Sequence, residues 1–153
     1  MSVRRATPED AEAVADVQVR TWLDAYTAFV DREKLLAKAV GRDEVWRRRI
    51  ADGVEVLLAV EGEIVVGIAS AADAWIQMLY VAPEAQGRGH GSALLDGCLA
   101  SLRRAGATEA TLWVFERNAP ARAFYERRGF GHDGSPAESD EWAAKLRYRK
   151  PLR

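Results

Sequence analysis

The sequence predicts an α+β or α/β fold built on a mixed sheet of six or seven strands, and three observations carry that prediction. Apolar runs of strand length recur along the 153 residues. An apolar helical stripe, Leu95, Cys98, Leu99 and Leu102, separates the runs Trp75 to Val81 and Thr111 to Phe115, the pattern of a β-α-β unit. Near the C-terminus, Trp142, Ala144, Leu146 and Tyr148 alternate with Lys145, Arg147 and Arg149, which predicts a last strand with one buried face.

Taken in order, Ser2 to Ala6 reads as a short first strand. Thr7-Pro8-Glu9-Asp10 then combines a capping hydroxyl, a proline in the first turn and early acids, and starts a helix that runs to about Ala25. A second helical region covers Arg32 to Ile50, broken near Gly41. Val54 to Val60 and Glu63 to Ser70 flank Glu61-Gly62 and read as a hairpin. The strand Trp75 to Val81 leads into a helix that begins near Gly89 and stops at Gly106, a natural C-cap. After Thr111 to Phe115, Asn118 or Ala119 caps a short helix that Gly129 ends. No repeat or linker divides the chain, so residues 1–153 are expected to form a single domain.

Composition narrows the function. With 48% hydrophobic residues the chain can bury a substantial core. A formal net charge of -1, from 22 basic and 23 acidic residues, exerts no general pull on nucleic acid or an anionic membrane. Arg47-Arg48-Arg49 and Arg127-Arg128 read as solvated helix faces, although one could reach a phosphate. The lone Cys98 sits on the apolar stripe as a core residue and suits a reducing cytoplasm, the expected location. No signal-peptide core follows the N-terminal residues and no apolar run approaches membrane-spanning length. Two histidines and one cysteine supply no metal-ligand set, so no metal is expected.

The most informative segment is Gln86-Gly87-Arg88-Gly89-His90-Gly91, between the strand ending at Val81 and the helical run opening at Ser92. Glycines let the backbone turn with positive φ and present bare N–H groups, and a helix N-terminus adds free donors and a favourable dipole. Such a loop is an anion cradle. Its spacing matches neither G-x-x-x-x-G-K-[ST] nor G-x-G-x-x-G.

It does match Q-x-x-G-x-G. With Val81-Ala82-Pro83 before it and a helix after it, the segment resembles the signature of the GCN5-related N-acetyltransferases, the GNAT superfamily. Downstream, Asn118-Ala119-Pro120-Ala121-Arg122-Ala123-Phe124-Tyr125-Glu126-Arg127-Arg128-Gly129-Phe130 resembles the family's later motif, N-x-x-A-x-x-F-Y-x-x-x-G-F. The resemblance is specific over residues 75 to 130. It implies a mostly antiparallel sheet flanked by about four helices and splayed at its central strands. It also implies acetyl-CoA as acyl donor, a primary amine of a small molecule as acceptor, and leaves room for a homodimer.

The resemblance further implies roles for particular residues. Backbone groups of Leu79, Tyr80 and Val81 would bond the pantetheine arm and the acetyl carbonyl. The loop Gln86, Gly87, Arg88, Gly89, His90, Gly91 and Ser92 would hold the pyrophosphate, with Asn118 near the pantetheine. His90 contributes as a loop residue rather than as a base. Thioester aminolysis needs a neutral amine, an oxyanion site and a proton for the departing thiolate. The last task falls to Tyr125. Many relatives carry a general-base glutamate at the position aligned with Trp75; here Asp73 is the chosen substitute, with Glu84 or a water chain as other routes.

Acceptor binding is expected at Trp22, Tyr26 and Phe29, facing a loop that carries Asp133, Glu138 and Asp140; aromatic rings with carboxylates suit a small cationic amine. Other readings stay open. They are a protein N-terminal or lysine acetyltransferase, a non-catalytic acyl-CoA sensor, and a nucleotide-binding domain in which Glu116 reads a ribose. Pro83-Glu84-Ala85 between strand and glycines argues against the last.

Overall fold

The computed structural model describes residues 2–153. Eight strands form one sheet: β1 (Ser2–Arg5), β2 (Val56–Glu61), β3 (Ile64–Ala72), β4 (Trp75–Val81), β5 (Glu109–Phe115), β6 (Gly131–His132), β7 (Glu138–Ser139) and β8 (Ala144–Pro151). Their order is β1-β2-β3-β4-β5-β8-β6, with β7 also pairing β8. Every pairing is antiparallel except the central one, β4 with β5. The sheet exceeds the expected six or seven strands because β6 and β7 have two residues each, too few for any periodicity to show.

Five α-helices accompany it: α1 (Ala11–Ala25), α2 (Arg32–Ala39), α3 (Arg42–Ala51), α4 (His90–Arg104) and α5 (Ala119–Arg127). The break at Gly41 makes two helices of the second helical region. Three boundaries move for local reasons. Val54 is not in β2, because its N–H closes the end of α3 on the Arg49 carbonyl at 3.0 Å. Glu61 belongs to β2 and pairs with Ile64, so the hairpin turn is Gly62-Glu63. Trp142 precedes β8, held in a turn where its N–H donates to the Asp140 carboxylate at 2.7 Å.

The sheet carries a core on each face. Ala59, Ala69, Ile76 and Leu112 pack with Leu94, Leu95, Cys98 and Leu99 of α4 and with Tyr125 of α5. Leu58, Ile68 and Met78 pack on the other side with Val14 and Val17 of α1 and Trp46 and Ile50 of α3. Gly67 brings α4 close to the sheet: a Cβ there would lie 2.9 Å from Leu94 Cδ1 and 3.3 Å from Ala59 Cβ.

Strand β4 departs from regularity where the two cores meet. Ser70 pairs with Met78 but Ala71 pairs with Ile76, so Gln77 is an extra residue, a β-bulge. Residues two apart in a regular strand share a face. Ile76 and Met78 instead enter opposite cores.

The exposed edge strand β1 is tied to the start of α1 by Arg4, which donates to both oxygens of Asp10 at 2.9 Å. Asp10 also accepts the Thr7 N–H at 2.8 Å. The Arg4 guanidinium is the main cause holding the Asp10 carboxyl down at about 2. A depressed carboxylate stabilises the fold above its ordinary value and loses that contribution as pH falls through its folded value. Asp10→Asn should therefore lower the thermal midpoint at neutral pH, and the gap from wild type should close as pH falls from 3.8 toward about 2. A gap independent of pH in thermal melts would assign the loss to packing.

Candidate active site

β4 and β5 are joined by two register pairs, Trp75 with Thr111 and Ile76 with Leu112. Beyond the Gln77 bulge the strands part. Leu79, Tyr80 and Val81 then line one wall of a cavity of about 1010 Å³, and Trp113, Val114 and Phe115 line the other. On that side β4 has no ladder partner, so its backbone donors and acceptors face the cavity, where they need a bonding partner.

The cavity ends on the glycine loop. Ala82 closes β4 by donating to Val66, and a 3₁₀ turn over Pro83–Ala85 delivers the chain to Gln86, whose amide donates to the Val81 carbonyl at 3.1 Å. Gln86, Gly87, Gly89, His90, Gly91 and Ser92 all line the cavity. Gly89 caps α4 with φ +87°, and a Cβ added there would meet no protein atom within 4 Å. The loop thus needs positive φ and leaves open space in front of the free N–H groups of α4, a fit for an anion such as a pyrophosphate.

Glu61 fixes this loop from outside. It accepts from Arg88 Nη1 at 2.8 and 3.0 Å and from His90 Nε2 at 2.8 Å. Arg88 also donates to the Glu84 carbonyl at 3.0 Å, and it does not line the cavity. The His90 imidazole is 2% exposed and turned to Glu61, leaving Nδ1 buried without a partner. Opposite the loop, Arg128 stacks on Phe124 at 3.9 Å and donates to the Ser92 hydroxyl, which places a cation beside the first turn of α4.

Tyr125 lines the middle of the cavity from α5. Its ring packs between Phe124 and Phe130. Burial, and secondarily Tyr80 and Cys98, push its hydroxyl well above the ordinary tyrosine value, so it keeps its proton. Tyr26 is raised as well, first by burial and then by Tyr80. Trp22 Nε1 donates to the Tyr80 hydroxyl at 3.2 Å. Asn118 lines the cavity too, and its side chain accepts the Ala121 N–H at 3.4 Å as the cap of α5.

Trp22, Tyr26 and Phe29 line the far lobe. Phe115 and Trp142 complete it; the sequence showed both only as strand residues, and their ring contacts join elements remote in the chain.

Several carboxylates considered from sequence lie elsewhere. Asp73 sits in the β3–β4 turn at the closed end of the strand pair and does not line the cavity; nor does Trp75, which packs on Trp113. Glu84 pairs with Arg20 at 2.9 Å. Asp133 bonds Ser135 and Arg147, and neither it nor Glu138 reaches the cavity. Asp24 and Asp140 are the carboxylates that do line it. Among the described residues no cluster of His, Cys, Asp or Glu could hold a metal, and no helix is long and apolar enough to cross a membrane.

Comparison with known proteins agrees with this geometry. The sequence model of the acetyltransferase (GNAT) family matches residues 17–130, and the chain belongs to that family. It is 33% identical over 132 residues to the aminoglycoside N(6')-acetyltransferase type 1 of Stenotrophomonas maltophilia, covering 84% of this chain and 85% of that protein. The crystal structure of a GCN5-related N-acetyltransferase from Rhodopseudomonas palustris superposes with a TM-score of 0.83 at 28% identity, over 99% of this chain and 95% of the other. PaiA N-acetyltransferase of Thermoplasma acidophilum, solved in complex with coenzyme A, shares the fold with a TM-score of 0.83 at 18% identity, over 98% of both chains.

Cys98 is 1% exposed against the sheet, and burial pushes its thiol up to about 12. It should therefore stay unreactive toward an aromatic disulfide reagent in the native protein, while one thiol titrates in denaturant. Rapid native labelling would place the thiol at the surface.

Proposed function

We propose that the chain transfers the acetyl group of acetyl-CoA to a primary amine of a small molecule, with Tyr125 as the group that returns a proton to the departing sulfur. The observation that carries this reading is the continuity of one cleft, from the side of Leu79, Tyr80 and Val81 that β5 leaves unpaired to the bare N–H groups at the start of α4. An extended chain with amide groups and a terminal diphosphate needs that succession of partners.

Acetyl-CoA, when bound, supplies an activated thioester. The residues of this chain divide the other tasks. The loop from Gln86 to Ser92 and Arg128 would hold the diphosphate, and Asn118 would stand by the pantetheine. Tyr125 retains its proton at neutral pH because burial disfavours the phenolate. The groups acting electrostatically on it, Tyr80 and Cys98, are not carboxylates. With Asp73 and Glu84 outside the cavity, the acceptor ammonium would lose its proton to water before attack. The rate should then rise with pH until the acceptor's own pKa is reached.

Three measurements test the reading. Acetyl-CoA at about 100 times its dissociation constant should stabilise the fold by on the order of 2.7 kcal/mol, whereas NAD should not; a flat melt with acetyl-CoA would overturn it. Gly89→Val, which strains φ +87° and fills the space before the amides, should lose that stabilisation while still folding. Tyr125→Phe should keep acetyl-CoA affinity and slow turnover by roughly 10²-fold, the lower end for a general acid because a thiolate leaves readily. Unchanged turnover with chemistry rate-limiting would reduce Tyr125 to a packing ring.

A further inference from the structure

We infer that the acceptor is a primary monoamine borne on a flat apolar body, an arylalkylamine by chemical class, and that the far lobe of the cavity is its seat. The inference rests on the acetyl-transfer reading and goes further by naming what carries the amine. Three separate parts of the chain build the lobe: α1 and the turn after it give Trp22, Tyr26 and Phe29, the end of β5 gives Phe115, and the turn before β8 gives Trp142. Trp22 meets Trp142 edge to face at 5.0 Å, Tyr26 meets Phe115 at 4.8 Å, and Phe29 meets Phe115 at 5.5 Å. Trp22 and Tyr26 are buried, whereas Phe29, Phe115 and Trp142 are half-buried and present ring surface to the cavity. Ring surface gathered in a concave site takes an apolar ligand group, by stacking or edge contact.

Charge points the same way. The cavity is lined by two carboxylates, Asp24 and Asp140, against four cations, Arg117, Arg127, Arg128 and Lys145. Asp140 is already engaged: it accepts the Trp142 and Ala143 N–H groups at 2.7 and 3.0 Å and stands 3.9 Å from Lys145 Nζ. Arg117 lies over the Phe29 ring at 5.7 Å. A ligand with several ammonium groups would meet Arg117 and Lys145 at the lobe and only one carboxylate not already engaged, Asp24. One amine, carried on an aromatic body, keeps that cost to a single charge, which Asp24 can meet.

The lobe also opens onto the phenols. Trp22 donates to the Tyr80 hydroxyl at 3.2 Å, and Tyr26, Tyr80 and Tyr125 line the same cavity. An aromatic body in the lobe therefore directs its amine toward Tyr125. Apolar surroundings disfavour the ammonium form and help it release a proton to water. The neutral nitrogen then forms a bond to the acetyl carbon as the carbon–sulfur bond breaks. The nitrogen sheds a second proton, and the sulfur receives one through Tyr125, which gives an amide and coenzyme A thiol.

The test is an amine panel read by thiol release and product mass: 2-phenylethylamine and tryptamine, ethylamine and n-propylamine of similar basicity, kanamycin, and a peptide with a free N-terminus. Burying one phenyl group should raise kcat/KM for phenylethylamine over ethylamine by on the order of thirty- to a hundredfold. Trp142→Leu and Phe115→Leu, each checked by thermal melt, should cut that preference by about tenfold through lost ring contact, with the KM for acetyl-CoA unmoved. Equal or better acetylation of ethylamine, kanamycin or the peptide would overturn the inference and leave acetyl transfer standing. If acetyl-CoA binds but no amine reacts, acetyl transfer itself fails. Calorimetry of phenylethylamine with the coenzyme A-loaded protein then decides the lobe: saturable binding weakened by both variants supports it, and no binding overturns it.

Discussion

Two residue pairs hold β4 to β5, and the gap that opens after them determines what the rest of the molecule can do. A parallel pair in mid-sheet would ordinarily continue its ladder and bury its backbone. Here the bulge at Gln77 adds local twist and turns the strand just where the ladder stops. The same extra residue reverses the facing of everything after it. Leu79 and Val81 pack toward α4 and α5, and Tyr80 turns toward α1 and the phenols.

The gap survives because both of its walls are braced from behind. β4 is paired along its length with β3, and β5 is paired over seven positions with β8. Neither strand can drift across without breaking that outer ladder, and helices α4 and α5 pack over the same face. Backbone hydrogen-bonding capacity is therefore stored at the centre of a rigid sheet. An empty ladder edge would otherwise be a liability at the rim.

The elements that line the cleft were the most legible in the sequence. β4, the glycine loop, α4 and α5 each carry a periodic or capping signal that depends on neighbours in the chain, and Trp75–Val81 and the start of the helix at Gly89 follow it closely. The two motifs that suggested the family lie in this same stretch. What escaped reading depends on contacts across long separations. Arg88 looks like a phosphate ligand beside its glycines, but Glu61, 27 residues earlier, claims it. Asp73 looks close to the strand that matters, yet it stands at the paired end, and Asp140 reaches the cavity only because a turn folds back before β8. Phe115 and Trp142 become neighbours of Tyr26 through tertiary packing alone.

The Glu61 carboxylate that grips both Arg88 and His90 has a thermodynamic consequence for whatever docks at the loop. Ordering a flexible segment at the moment of binding subtracts from affinity, residue by residue. Here Glu61, at the end of β2, holds the loop by Arg88 and His90, and the Gln86 amide holds it by a third side chain. Its conformational entropy is surrendered when the sheet folds. An arriving anion then meets donors already in place, and the free energy of contact is left to appear as affinity.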